Sequence, residues 1–125
     1  NGISDRSNII QVTFTSSDDE FDIPHQTFLF ANYPNPFYPK NKGIRSSSNT
    51  TIRYDLSKSG QVNLEIYNIK GQLVKTLVNE FKTAGLYSAV WDGRDNTGLK
   101  VSSGIYLYKL CSKDFICMKK MILIQ

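Results

Sequence analysis

A short polar stretch between two apolar segments holds the residues best suited to bind a metal ion. Asp92, Asp95 and Asn96 lie in the run DGRDNTG and supply several side-chain oxygens, which are the ligands that Ca²⁺ prefers. The run lacks the distal bidentate acid of an EF-hand, and Asp, Asn and Gly are also the usual residues of tight turns. We therefore interpret the run as a turn, with calcium binding open as the alternative.

Catalysis by a nucleophile and a base would have to use His25, because the chain contains 1 histidine. His25 follows Pro24 in a segment that changes from acidic to apolar. Such a linker does not hold an imidazole in the fixed geometry that a Ser-His-Asp arrangement needs. The G-x-S-x-G, Walker and dinucleotide-binding glycine patterns are also missing from the sequence. We expect a protein that is not an enzyme and that uses no cofactor.

The chain contains 2 cysteines, Cys111 and Cys117, which flank the predicted turn of a hairpin. A disulfide between them would require both side chains to point the same way. Alternation along the strands places Cys111 with Lys109 on one face and Cys117 with Phe115 and Met121 on the other. Two free thiols are favoured over a disulfide, which stays open. A zinc site is not expected, because it needs four N or S ligands.

Charge is distributed unevenly along the chain. Residues 1–27 carry five acidic residues and one basic residue, whereas the remaining residues carry 14 basic and 6 acidic ones. This split indicates an acidic linker followed by a basic domain. A basic domain can meet nucleic acid, lipopolysaccharide or an acidic partner. Here the basic residues are scattered singly, which favours an ordinary solvated surface and argues against nucleic acid.

Apolar and polar residues alternate through most of the chain, and helical periodicity is nearly absent. Short strands separated by turn residues about every 8 to 12 positions are typical of two antiparallel sheets packed face to face. The predicted fold is all-β: an immunoglobulin-like antiparallel β-sandwich of about seven strands. The predicted strands are Phe28–Tyr33, Thr51–Leu56, Val62–Ile66, Leu73–Val78, Tyr87–Trp91, Gly104–Leu110 and Phe115–Ile124.

The predicted core depends on aromatic residues that alternation places on the inner faces of the strands: Tyr54, Trp91, Tyr106 and Tyr108. A chain of 125 residues is long enough to bury such a core without a disulfide or a metal. No apolar run approaches the roughly 20 residues that span a bilayer.

Seven segments in a fixed order make the sequence similar to a known family. They are FLFANYPNPF, TTIRYDL, SGQVNLEIYNIKGQLVKTL, AGLYSAVW, DGRDNTG, SGIYLYKL and KKM. Together they resemble the type-A C-terminal sorting domain of the type IX secretion system. They are equally similar to the immunoglobulin-like domain of flagellar hook-capping proteins. The resemblance covers about Phe28 to Gln125, and its one clear departure is about seven extra residues within Tyr38–Ser48.

The resemblance implies a signal and not a catalyst. Such a domain directs an attached N-terminal cargo through an outer-membrane translocon, and a sortase-like peptidase then cuts upstream. The cargo is attached to anionic lipopolysaccharide or released, so the expected location is secreted or cell surface, reached through the periplasm. By position, the cut would fall within Thr15–Gln26. The residues that match the family's recognition pattern are Gly104, Tyr106, Lys119, Lys120 and Met121. Those that match its structural motifs are Pro34, Asn35, Pro36, Phe37, Gly85, Trp91, Asp92 and Gly93.

The predicted organisation is a first segment, residues 1–26, followed by the sorting domain, residues 27–125. The first segment combines the end strand of a preceding domain, Asn8–Phe14, with an acidic linker. Two other functions stay open. A carbohydrate- or protein-binding module would present Tyr33, Phe37 and Tyr38 to solvent, and an assembly module would resemble that of hook-capping proteins.

Overall fold

The computed structural model describes residues 23–39 and 49–125, which form an all-β domain. Its seven strands are β1 (Phe28–Leu29), β2 (Thr50–Leu56), β3 (Gly60–Asn68), β4 (Leu73–Lys82), β5 (Gly85–Trp91), β6 (Gly104–Ser112) and β7 (Phe115–Leu123). Among these residues there is no helix of the length and apolar character that crossing a bilayer requires.

The strands form two antiparallel sheets. One is three-stranded, in the order β1-β2-β5, and the other is four-stranded, in the order β4-β3-β6-β7. Buried and more exposed residues alternate along β2, β3 and β6, whereas the edge strand β4 has no fully buried residue. The buried faces of the two sheets meet, because each sheet can bury only one set of alternating side chains against the other. The predicted immunoglobulin-like sandwich is confirmed.

The core lies between the sheets and is rich in aromatic rings. The four aromatic residues predicted for it, Tyr54, Trp91, Tyr106 and Tyr108, are all buried. The other buried apolar residues are Leu29, Phe37, Ile52, Leu56, Val62, Leu64, Ile66, Leu110, Met121 and Leu123. A large apolar side chain contributes roughly 1.5–3 kcal/mol when it is fully buried, so these residues dominate the stability of the domain.

Two strand ends differ from the sequence prediction by four residues, and the other boundaries agree within two. The prediction ended the fourth strand at Val78, whereas β4 continues to Lys82 because Asn79 and Lys82 pair with Asn63 and Gly60. The first strand is shorter than predicted. It ends at Leu29, and only an isolated bridge from Tyr33 to Thr51 continues its pairing with β2.

The proline-rich segment after β1 passes from one sheet to the other. Tyr33 pairs antiparallel with Thr51 in the three-stranded sheet, and Phe37 pairs parallel with Leu123 in the four-stranded sheet. The Tyr33–Pro34 and Asn35–Pro36 peptide bonds between them are both cis. The prolines lie where the chain leaves a sheet, as the sequence predicted, and the segment links the first and last strands.

Several expectations from the sequence concern residues outside the described ranges. These are the strand predicted at Asn8–Phe14, most of the acidic linker, and most of the extra loop at Tyr38–Ser48. They stay predictions.

The burial of Phe37 makes a testable prediction about stability. Replacing it with alanine (Phe37→Ala) should lower the free energy of unfolding by about 3–5 kcal/mol, because the change leaves a cavity in a packed core. Tyr33→Ala is the matched control: its side chain is 79% exposed, and the expected loss is within about 0.5 kcal/mol. Urea unfolding followed by Trp91 fluorescence measures both, and equal losses would contradict the packing described here.

Candidate functional site

The last hairpin, β6 and β7, carries the five residues predicted to be recognised by a translocon. Tyr106 and Met121 face each other across the two strands and are both buried. Gly104 and Lys120 are exposed, and Lys119 is half-buried on the inner face of β7. The structure therefore places all five on one hairpin but leaves only Gly104, Lys119 and Lys120 accessible to a partner of the folded domain.

Tyr106 is held at both ends of its side chain. Its ring lies 5.5 Å from that of Trp91, and its hydroxyl donates a 2.6 Å hydrogen bond to the backbone carbonyl of Ser102. A tyrosine that bonds back to a residue just upstream is a recurrent corner of immunoglobulin-like folds. Tyr106 thus fixes where β6 begins, so its place in the sequence pattern has a structural cause.

The Asn-Pro-Phe motif attaches the start of the domain to its last strand. Phe37 accepts a backbone hydrogen bond from Ile124 at 3.0 Å and donates one to Ile122 at 3.1 Å. The Asn35 side chain also accepts a hydrogen bond from the backbone of Ile122 at 2.9 Å. The Phe37 ring packs 5.5 Å from Trp91 in the core. These contacts join Asn35, Phe37 and Trp91, three of the residues in the predicted structural motifs.

The loop that follows Trp91 is built from side-chain hydrogen bonds to its own backbone. The indole N–H of Trp91 donates to the carbonyl of Arg94 at 2.8 Å, and Asp92 accepts from the backbone of Arg94 at 3.1 Å. Gly93 has a φ of 80°, and a Cβ there would lie 2.8 Å from the side chain of Pro39. Glycine is therefore required at this position for both its conformation and its lack of a side chain.

Asp95 organises the second half of the same loop. One of its carboxylate oxygens, Oδ1, accepts hydrogen bonds from the hydroxyl and backbone N–H of Thr97 and from the backbone N–H of Leu99. These bonds, led by that from the Thr97 hydroxyl, hold the pKa of Asp95 below its ordinary value. In the described ranges no group of three or more His, Cys, Asp or Glu residues is placed to hold a metal ion. The loop geometry accounts for Asp92 and Asp95 as turn residues.

Asn96 extends this loop to the edge of the four-stranded sheet. Its backbone N–H donates to the carbonyl of Val74 at 3.0 Å, and its side-chain oxygen accepts from the N–H of Thr76 at 3.1 Å. Both partners lie on β4, the edge strand opposite β7. The DGRDNTG loop therefore caps one edge of this sheet, and the Asn-Pro-Phe motif caps part of the other.

Gly85, the remaining residue of the predicted structural motifs, begins β5 beside a second aromatic group. Tyr87 stacks on Tyr54 at 5.6 Å, and the Lys82 ammonium lies 4.7 Å from the centre of the Tyr87 ring. The Tyr54 hydroxyl is buried and has no hydrogen-bond partner among the described residues. Burial, reinforced by the nearby Tyr87 and Glu80, raises the pKa of Tyr54 to about 12. This phenol therefore stays neutral in the native domain.

His25 lines an open cleft that also contains Ser112 and Asp114. In the part of the chain that the structure describes, no hydrogen bond joins any two of these three side chains. A nucleophile, a base and an orienting acid need that contact to act together. The structure therefore does not join these three side chains as a hydrogen-bonded triad.

The proposed aromatic platform does not form from the three residues that the sequence suggested. Tyr33 and Tyr38 are exposed, but Phe37 is in the core. A different aromatic group lies on the outer face of the three-stranded sheet, where the Arg53 guanidinium sits 4.2 Å from the centre of the Phe30 ring, beside Phe28. The sequence predicts Phe28–Tyr33 only as a strand, and it could not show that Arg53 of the next strand lies over the Phe30 ring.

The outer face of the last hairpin is also more apolar than the simple alternation of strands predicts. Ile105, Ile116, Met118 and Ile122 are all exposed there, and Lys120 lies among them.

On the neighbouring strand β3, Tyr67 donates a 2.6 Å hydrogen bond to Glu65. This bond is the main cause of the raised pKa of Tyr67.

The two cysteines are free and lie on opposite faces of the last hairpin. Cys111 is paired with Ile116, and Cys117 is paired with Leu110. The prediction from strand alternation, that the two cysteine side chains point to opposite faces, is therefore confirmed.

Comparison with known proteins identifies relatives of this domain. The model of one family, the FlgD Ig-like domain, matches residues 40–114. No curated protein matches the chain.

Several solved structures are similar to this chain. Dimeric latent PorU from Porphyromonas gingivalis matches with a TM-score of 0.57 and 22% identity, over 81% of this chain and 10% of that one. PorZ, a surface component of the type-IX secretion system of the same organism, matches with a TM-score of 0.50 and 16% identity, over 88% of this chain and 12% of that one. FlgD from P. aeruginosa matches with a TM-score of 0.47 and 24% identity, over 59% of this chain and 58% of that one. The chain thus spans about a tenth of the length of PorU and PorZ.

The role of Asp95 predicts an acid-sensitive loop. Because the native state lowers the pKa of this carboxyl, its stabilising effect is present above the ordinary pKa of Asp and is lost as the pH falls through the lowered value. Asp95→Ala should lower the urea midpoint at neutral pH and flatten its decline between about pH 4 and pH 2. Asp95→Asn, which keeps the acceptor oxygen, is the control. Its urea midpoint at neutral pH should fall less than that of Asp95→Ala. An unchanged midpoint in Asp95→Ala would contradict this role.

The hairpin geometry also predicts the state of the thiols. Under mild oxidation the native chain should keep two free thiols, since the two side chains point away from each other across the sheet. Intact mass after alkylation counts them, and Cys111→Ser serves as the one-thiol reference. Loss of both thiols from monomeric native protein would show that the hairpin register is different.

Proposed function

The chain belongs to the FlgD Ig-like domain family, and we propose that it is a non-catalytic C-terminal signal domain of the type IX secretion system. In this role it directs an attached cargo protein across the bacterial outer membrane, after which the cargo is attached to the cell surface or released. The protein is then secreted or surface-bound after passing through the periplasm.

The arrangement of the last hairpin carries the proposal. Five residues of the predicted motifs lie far apart in the sequence but meet around β7 and Trp91 in the fold: Asn35, Phe37, Trp91, Tyr106 and Met121. This packing holds Gly104, Lys119 and Lys120 on one regular hairpin, where a translocon would bind them. A translocon that binds the domain without reacting with it depends on the shape and charge of the bound surface. Such a surface must be held in a fixed geometry and needs no reactive groups.

The solved relatives support the same assignment. PorZ is described as an essential surface component of the type-IX secretion system, and a fold of this kind forms a small part of PorZ and of PorU. A module that occupies about a tenth of much longer chains fits a signal attached to a larger cargo. The proposed partners are therefore the translocon, a sortase-like peptidase and the cargo in the same chain. Anionic lipopolysaccharide, which would meet the basic domain, is the proposed acceptor.

A binding or assembly module is the second candidate. The family match to FlgD supports it, as does the exposed group formed by Phe28, Phe30 and Arg53 on the three-stranded sheet. Aromatic rings with a stacked guanidinium are frequent at protein contacts. This function would use the sheet opposite the last hairpin, so the two candidates can be separated by mutation.

A secretion assay tests the proposed signal. A reporter fused ahead of residues 1–125 should reach the surface or medium of a bacterium with a working type IX system. The double variant Lys119→Glu/Lys120→Glu should reduce that fraction at least tenfold, because it reverses the charge of both accessible lysines of β7 without removing a fully buried side chain. Lys58→Glu/Lys70→Glu, at exposed turns elsewhere, is the matched control and should be secreted normally.

The folded state must be checked in each fusion, by protease resistance of the periplasmic fraction. Deleting residues 119–125 is a less informative change, because it also removes Met121 and Leu123 from the core. If the unaltered fusion folds but stays in the periplasm, the domain is not a sorting signal. If Arg53→Ala blocks secretion as strongly as the Lys119→Glu/Lys120→Glu change, recognition uses the other sheet.

A further inference from the structure

The outer edge of β7 presents hydrogen-bonding groups of the backbone. Along an antiparallel strand, successive residues direct their N–H and C=O groups alternately toward and away from the neighbouring strand. Ile122 and Ile124 use these groups to bond Asn35 and Phe37, on the side away from β6. Ile116, Met118 and Lys120 have the same parity, so their N–H and C=O groups point outward as well.

This edge is regular over its whole length. The register between β6 and β7 runs without a shift from the pair Gly104–Leu123 to the pair Ser112–Phe115. The opposite edge of the same sheet differs, since the pairing of β3 with β4 contains two register shifts and Asn96 covers part of β4. Bulges and covering loops are the usual means by which proteins block an edge strand. Beyond the Asn35–Phe37 contact, β7 has neither among the described residues.

The side chains beside the open edge define what it can accept. Ile116 and Met118 are 73% and 50% exposed on the outer face, and Lys119 and Lys120 follow them on opposite faces. The nearest acidic residue along the chain is Asp114, in the turn before β7. An added strand would therefore meet apolar contacts and two positive charges.

We propose that the edge of β7 from Ile116 to Lys120 binds an extended, acidic segment of a partner protein, which adds a fifth strand to the sheet. Backbone hydrogen bonds to the outward groups would provide affinity, and acidic side chains near Lys119 and Lys120 would provide selectivity. This inference does not depend on the secretion role, since it follows from the edge alone.

The dimensions and charge of the edge favour a peptide segment over a second copy of the chain. Five residues of strand extend about 17 Å, so pairing along this edge alone buries much less than the roughly 800 Å² per partner of a stable protein interface. Pairing of two β7 strands would also bring the lysine pairs of both copies close together. An acidic strand removes this repulsion.

The test uses the full chain, residues 1–125, and a blocked nine-residue peptide that alternates valine with glutamate. Hydrogen exchange of individual amides is followed by NMR. Saturating peptide should slow exchange of the Ile116, Met118 and Lys120 amides at least tenfold. The amides of Cys117 and Lys119, which face β6, should change little and serve as internal controls. A peptide that alternates valine with lysine should bind at least tenfold more weakly.

Matched variants separate the backbone contact from the side chains. Met118→Pro removes an outward N–H and should weaken binding at least tenfold, whereas Met118→Ala keeps that N–H and should bind within about threefold of the original chain. A valine–glutamate peptide with N-methylated valines tests the same bonds without altering the protein, and it should not bind. The Lys119→Glu/Lys120→Glu chain should bind weakly, and added salt should strengthen its binding where it weakens that of the original chain, because salt screens repulsion as well as attraction.

Four results would overturn the proposal. The first is peptide-induced protection elsewhere than at the three outward amides, and the second is equal binding of the N-methylated peptide. The third is protection that grows with protein concentration without peptide, which would show that a second copy occupies the edge. The fourth is protection at every concentration without peptide, which would show that another part of the same chain covers it.

Discussion

The packing of Phe37, Trp91 and Tyr106 is the contact on which the rest of this domain depends. The Trp91 ring lies 5.5 Å from each of the other two, and its N–H holds the following loop through Arg94. Each of the three residues comes from a different part of the chain: the segment that crosses between sheets, the end of β5 and the start of β6. One aromatic cluster therefore fixes the entry to the sandwich, the loop at β4 and the last hairpin together.

Protection of sheet edges explains why the polar motifs occur where they do. Asn96 satisfies two backbone groups of β4, and Asn35 with Phe37 satisfies the C-terminal part of β7. Unpaired edge strands promote unwanted association, so a sandwich gains solubility from each capped segment. Side chains that look like calcium ligands or a proline-rich binding motif in the sequence act here as acceptors for the protein's own backbone.

The sequence predicted the fold well and the functional surfaces only in part. Alternation identified the inner faces of the strands, including Tyr54 and Tyr108, because a strand's side-chain period is local. It could not show that Phe37 is buried, since that depends on a strand far along the chain. Nor could it show that Tyr106 and Met121 face each other inside the core, while Lys120 on the same hairpin is exposed. The type of a residue in a family motif does not show whether its side chain packs in the core or is accessible to a partner.

The hydrogen bonds between the Asn-Pro-Phe motif and β7 also determine when folding of the domain can be completed during synthesis. Asn35 and Ile122 are 87 residues apart, so a chain that emerges from its N-terminal end must carry the first motif unpaired until β7 appears. Contacts over such distances in sequence form late and slow the folding of β-sandwiches. The native sandwich can therefore be completed only after synthesis has passed Leu123, since a shorter chain lacks the strand that pairs with Asn35 and Phe37.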